Sequence, residues 1–264
     1  MKNKTMGFIG GGRVTRFLLE ALSHSHVVPE KILISDPDAD ALITIAGIAP
    51  GEIQTTADNL IPASADTVFL SVHPPVMPQV LKEIKDTVRK DAVVISLAPV
   101  VKITMISEGL GGFNRIARMI PNAPSIMGKG YNPVAFAEGI PTTDRDALKQ
   151  WLGVWGESPE VDEPKLEAYA IVAAMGPTYF WFQWLELEKL AVGFGLSSEE
   201  VRKVLSSMLH GAIDVLYRSG LKPERVLDLI PVRPLQANEE AVRSMYEGAL
   251  TDLYQKLTNA REKK

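Results

Sequence analysis

The chain contains no cysteine, which excludes disulfides, thiolate zinc sites and thiol nucleophiles together. Histidine is nearly as scarce: four scattered residues give no cluster from which to expect a metal site. Like charges do not gather into runs, and 28 basic against 32 acidic residues leave a net charge of −4. That balance argues against a nucleic-acid surface and supplies no polybasic membrane anchor. No long apolar span precedes the first strand-like run, so neither a signal peptide nor a transmembrane segment is expected, and the cytoplasm is the default compartment. What is present is the balance of a globular protein, 46% apolar and 23% charged over 264 residues, enough for one large domain or two ordinary ones. Small molecules and other protein chains are the expected partners.

From the start, MGFI is a short apolar run, GGG follows, and RVTRFLLEAL places Val14, Phe17, Leu18, Leu19 and Leu22 on roughly one helical face. The run KILIS then ends at Asp36-Pro37, which completes a βαβ unit. DTVFLSV, AVVISL and RIARMI continue the strand-like runs, separated by helical or mixed segments such as MPQVLKEIKDTV. This alternation predicts a doubly wound parallel sheet of the Rossmann type. The stretch MIPNAPSIMGKG follows the last of these strands; its prolines cannot continue a strand or helix, so the chain must turn there. A turn at the carboxyl edge of a parallel sheet lines a ligand crevice.

The first turn suggests the ligand. Gly10 permits the tight bend, and Gly12 lets the backbone approach a pyrophosphate at the helix N-terminus, where N–H groups and the helix dipole favour an anion. Thr15, at the third fingerprint position, is bulkier than the usual Gly or Ala. Asp36 is placed to accept from the ribose hydroxyls of NAD and to repel a 2′-phosphate, which favours NAD(H) and leaves NADP(H) possible. It also reads as a turn aspartate before proline, and the two roles are compatible.

After Pro159 the alternation stops, and the sequence reads as long helices joined near Gly195 and Gly220. Two domains are expected, 1–160 for the dinucleotide and 161–264 helical. The first long helix is expected to carry Gly176-Pro177 in mid-course. Phe180, Trp181, Phe182 and Trp184 then point around more than one of its faces, which predicts burial against a second copy of the chain.

FIGGGRV, TTADN, ADTVFLSVHPPVMPQVL, RMIPNAPSIMGKG, PEVDE, GPTY and GLSSEE occur in the order and approximate spacing of the pyrroline-5-carboxylate reductase family, which the chain resembles up to about Gly220. The resemblance implies a Rossmann domain, an all-helical C-terminal dimerisation domain, and reduction of a cyclic imino acid by NAD(P)H in proline biosynthesis. It implies that Ser71-Val72-His73-Pro74, Ala98-Pro99 and Pro121-Asn122-Ala123-Pro124 line the cofactor, with Asn59 near the adenosine ribose. Arg13 and Val14, directly after Gly12, complete the cofactor-binding set.

The departures fall at the other end of the reaction. His73 stands where the family usually has lysine, Ala-Pro-Val at 98–100 replaces Ala-Ala-Gly, and AAMGP stands for Ser-Gly-x-Gly-Pro. The family's Ser-Pro-Gly-Gly-Thr-Thr loop, which holds the substrate carboxylate, is replaced by LDLIPVRPLQANEEAV. Arg233 in that stretch offers a planar fork suited to a carboxylate. Taken as a single residue, it reads more readily as a solvent-exposed loop arginine. Thr178, Tyr179 and Asn122 are the remaining candidates for the substrate end, with buried structural roles as their alternatives. A reductase of C=N bonds leads this reading. A non-catalytic NAD(P)-binding regulator and a dehydrogenase of another amino or hydroxy acid stand beside it.

Overall fold

Side chains that alternate between two buried faces along short strands build the sheet. In the computed structural model, which describes residues 5–25, 29–48 and 52–259, β1 (Thr5–Ile9) sends Met6 and Phe8 to one apolar cluster and Ile9 to the other. The same two-residue period splits Ile32 and Ile34 from Leu33 in β2 (Lys31–Ser35). Between them α1 (Arg13–Ser23) lays Leu18, Leu19 and Leu22 on the first cluster, with Val14 and Phe17 packed at its margin. The chain continues through α2 (Ala39–Ala46), β3 (Glu52–Thr56), α3 (Leu60–Ala63), β4 (Thr67–Leu70), α4 (Met77–Ile84), β5 (Val93–Ser96), α5 (Ile103–Gly109) and β6 (Ile116–Met119). Helices α3, α4 and α5 cover the second face through Ala63, Val80, Leu81, Ile84 and Ile106, so the sheet is doubly wound.

After β6 come β7 (Gly130–Tyr131), β8 (Val134–Phe136), α6 (Thr142–Leu152), β9 (Gly156–Glu157) and α7 (Leu166–Tyr169). The seven-stranded order is β3-β2-β1-β4-β5-β6-β8, parallel except that β8 runs antiparallel to β6. The strands expected from sequence are all there; β3 and β8 were not expected. β3 reads EIQTT and is half-exposed at an edge, so it lacks the apolar run that marks a buried parallel strand. Gly7 of β1 is required by close approach: a Cβ there would stand 2.0 Å from the Pro62 carbonyl oxygen at α3.

From α7 the chain passes through a π turn (Ala170–Ala174) before α8 (Gly176–Gly193), α9 (Ser198–Arg218), α10 (Pro223–Leu227) and α11 (Glu239–Asn259). Gly176-Pro177 therefore opens α8 and does not lie in mid-helix. Proline has no N–H to give and is accommodated in a first turn, so the helix breaks at Met175. The joints at Gly195 and Gly220 both have positive φ, 102° and 74°. The described residues up to Met175, together with those from Leu253, form one compact unit, and Gly176–Asp252 form the other. Val161–Met175 lie between the expected boundary and that division.

Candidate functional site

A crevice of about 400 Å³ opens at the carboxyl edge of β1, β2 and β4, lined in part by Gly10, Gly12, Asp36, Asn59, Ser71, Val72 and His73. Its floor is the first turn. Gly10 has φ +105° and its N–H donates to the Ser35 carbonyl at 2.8 Å; a side chain there would be strained and would meet the Ser71 carbonyl oxygen at 2.7 Å. Thr15 is not a misfit: it is fully buried, and its hydroxyl donates to the Gly10 carbonyl at 2.6 Å, tying the turn to the helix. Asp36 is held from both sides, Oδ2 accepting from the Gly11 N–H at 2.6 Å and Oδ1 from the Asp38 N–H at 2.8 Å. The turn-aspartate role is thus observed, and the carboxylate still faces the crevice.

A dinucleotide fits what these residues offer. No side chain caps the N-terminus of α1 and no acidic residue sits in its first turn, leaving that end electropositive. A Cβ built on Gly12 would stand in open space, where a phosphate group has room. Ser71 Oγ, at the carboxyl end of β4, is buried without a hydrogen-bond partner among the described residues. An unmade bond of this kind is costly unless a ligand completes it.

The remaining expected cofactor residues lie outside the lining. Arg13 opens α1, Val14 packs on the core, Pro74 starts a 3₁₀ turn, and Ala98 is buried, its N–H donating to Ser96 Oγ at 3.3 Å. Pro99 follows it. Sequence reasoning missed Ser35, Gln79 and Glu83 in the lining. Ser35 ends β2 beside Asp36, and Gln79 and Glu83 are one turn apart on α4, a spacing that could have marked a common face.

The turn after β6 is locked by amides. Asn122 is buried; its Oδ1 accepts from the Tyr131 N–H at 3.0 Å and its Nδ2 donates to the Ala173 carbonyl of the π turn at 3.3 Å. Asn132 Oδ1 accepts from the Asn122 N–H at 3.1 Å and from Ser125 Oγ at 2.9 Å. The two prolines, the asparagine and Gly128 in the left-handed region thus build a rigid turn.

In the helical unit, Thr178 and Tyr179 line a largely apolar cavity of about 270 Å³ with Phe182, Met245, Tyr246, Ala249 and Leu250. Tyr179 and Tyr246 meet edge to face at 6.0 Å, and burial first, then the neighbouring Tyr246, pushes the Tyr179 hydroxyl above its usual range. It stays a proton donor. Arg233 lies outside that lining; its Nη2 pairs with both carboxylate oxygens of Glu239, so its charge is already offset.

Residues 5–99 match the family described as NADP oxidoreductase coenzyme F420-dependent. Two curated reductases match over nearly the whole chain. Pyrroline-5-carboxylate reductase of Escherichia coli (strain K12) is 26% identical over 98% of this chain and 97% of its own, and that of Corynebacterium melassecola 23% over 97% and 95%. This chain is similar to pyrroline-5-carboxylate reductases from end to end. The Coxiella burnetii reductase superposes with a TM-score of 0.69 at 25% identity, covering 99% of this chain and 96% of its own. The Plasmodium falciparum pyrroline carboxylate reductase, solved with NADP bound, shares the fold at a TM-score of 0.83 and 20% identity, with 99% of each chain covered.

Proposed function

We propose that this protein is an NAD(P)H-dependent reductase of the C=N bond in a cyclic imino acid or related imine. The observation that carries this reading is the end-to-end match: the relatives named as reductases extend through the helical half as well as the dinucleotide half. A non-catalytic nucleotide-binding regulator is not favoured on the same ground.

A bound nicotinamide would supply the hydride. The chain's own residues have to bind it, orient it and exclude water. Gly10, Gly12 and the N-terminus of α1 provide the pyrophosphate seat, Ser71 the unfilled hydroxyl, and Asp36 a ribose acceptor. Asp36 favours NADH, because its charge opposes a 2′-phosphate. Tyr179 and Thr178 are the hydroxyls offered at the substrate end. Arg233 is the carboxylate anchor in this proposal, and it must share its guanidinium with Glu239.

The deciding experiment is steady-state oxidation of NADH and NADPH with a panel of cyclic imino acids, pyrroline-5-carboxylate among them. Turnover of at least one is expected; none, with either nucleotide, rejects the reading. Asp36→Ala should weaken NADH and improve NADPH relative to it, read by fluorescence titration. Arg233→Ala should raise KM for a carboxylate substrate about tenfold, from loss of a charge-assisted hydrogen bond, with nucleotide affinity unchanged. Glu239→Gln should lower that KM by freeing the guanidinium. If both leave KM in place, the anchor lies elsewhere.

A homodimer through α8 belongs to the same proposal, as does a cytoplasmic location. Among the described residues no helix is long and apolar enough to cross a membrane.

A further inference from the structure

We infer that Glu83 is a specificity-determining residue of the crevice, acting through Asn59 to disfavour a 2′-phosphate on the adenosine ribose. The inference rests on the dinucleotide reading above and names a device within it.

Asn59 precedes α3, and its side-chain amide is held at both ends. Ser35 Oγ donates to Asn59 Oδ1 at 2.7 Å, and Asn59 Nδ2 donates to Glu83 Oε2 at 3.0 Å. The second contact decides which way the amide faces. Turned over, Oδ1 would oppose a carboxylate oxygen, two acceptors with no proton between them, whereas the serine hydroxyl can adapt to either orientation. Glu83 therefore fixes the amide. It comes from α4, and Ser35 from the end of β2, so two elements meet at this side chain.

All three residues line the crevice, as does Asp36. The crevice wall thus carries two carboxylates, Asp36 and Glu83, and among its described lining residues there is His73 but no lysine or arginine. A 2′-hydroxyl suits such a wall, since it can donate to a carboxylate and accept from the second Nδ2 hydrogen of Asn59. A 2′-phosphate suits it less: it has no proton to give at neutral pH, and it would meet two carboxylates with no lysine or arginine of the lining to offset its charge. One Asn59 N–H that a phosphate would use is already committed to Glu83.

The test is fluorescence titration of NADH and NADPH on the wild-type full chain, Glu83→Gln and Glu83→Ala. Glutamine keeps an acceptor for Asn59 and removes the charge, so Glu83→Gln should tighten NADPH by about three- to tenfold, as befits an exposed charge partly screened by solvent. NADH should stay within roughly twofold, because the amide remains held. Glu83→Ala also frees Asn59 and should weaken NADH. A merely structural role for Glu83 would move both nucleotides together. Parallel shifts, or an unchanged NADPH-to-NADH ratio in Glu83→Gln, overturn the inference while leaving the dinucleotide reading intact. Wild-type protein that binds neither nucleotide overturns both.

Discussion

At the residue scale, the loop after β5 holds a strained backbone position. Val100 has φ 62°, in the left-handed region that a β-branched residue occupies only under strain. It stands where the reductase family, by the resemblance, usually has glycine. Glycine would take this conformation freely but lose more entropy on folding. Val100→Gly should therefore raise stability by about 1 kcal/mol, seen as a melting temperature higher by roughly 2–4 °C. A lower melting temperature would show that packing of the valine outweighs its strain. Thr15 teaches a different lesson. Its bulk against the fingerprint could be read from sequence, but its hydrogen bond to Gly10 could not, because that bond depends on how the turn folds back on α1.

At the scale of elements, β6 hides a charge. Arg118 is 1% exposed within a strand that reads as apolar, and its guanidinium pairs with Glu163 at 2.9 Å and with fully buried Glu167 at 3.1 Å. Glu163 Oε1 also accepts from the Ile103 N–H at 2.7 Å, so β6, α5 and α7 meet on one network. Arg118→Ala would leave the Glu167 carboxylate buried without that partner and should cost about 3–5 kcal/mol in denaturant unfolding. Arg118→Met combined with Glu167→Leu should cost clearly less than Arg118→Ala. If the double variant is no better, the network stabilises through more than charge pairing. The partners lie 45 and 49 residues from Arg118 in sequence, too far for any local pattern to announce them.

The GLSSEE motif has a local cause instead. Ser197 and Glu200 form a reciprocal cap at the start of α9, Glu200 accepting from the Ser197 N–H at 2.9 Å. The Ser197 hydroxyl first, and its N–H next, hold the Glu200 carboxyl below its usual range. A lowered folded value means that this contribution is present above the ordinary glutamate range and is lost as pH falls through the lowered value. Thermal melts between pH 7 and pH 3 should fall less steeply at the acid end for Glu200→Gln than for the parent. An identical pH profile would remove the cap from the acid response.

For the whole molecule, the long helices after Met175 keep apolar side chains exposed in a single chain, on α9 and α11 as well as on α8. Phe180, Trp181 and Phe182 are 43%, 44% and 63% exposed, and Leu185 is 66% exposed further along the helix. An apolar surface of that kind calls for a second copy of the chain or leads to aggregation. Sedimentation equilibrium should show a dimer at micromolar concentration. A soluble, stable monomer would count against the dimer proposal.

The sequence by itself determined the βαβ rhythm, the glycine turn, the acidic residue that follows β2 and the joints between the long helices. Each is a matter of local period or local backbone conformation, and neighbouring residues suffice to specify it. It also carried, motif by motif, the resemblance to the reductases. Only the tertiary structure decided that EIQTT pairs as an edge strand, that β8 runs antiparallel, that Arg233 is matched to Glu239, and that Glu83 reaches Asn59 across 24 residues. A polar side chain has no period to betray its partner; what it bonds to depends on which elements packing brings beside it.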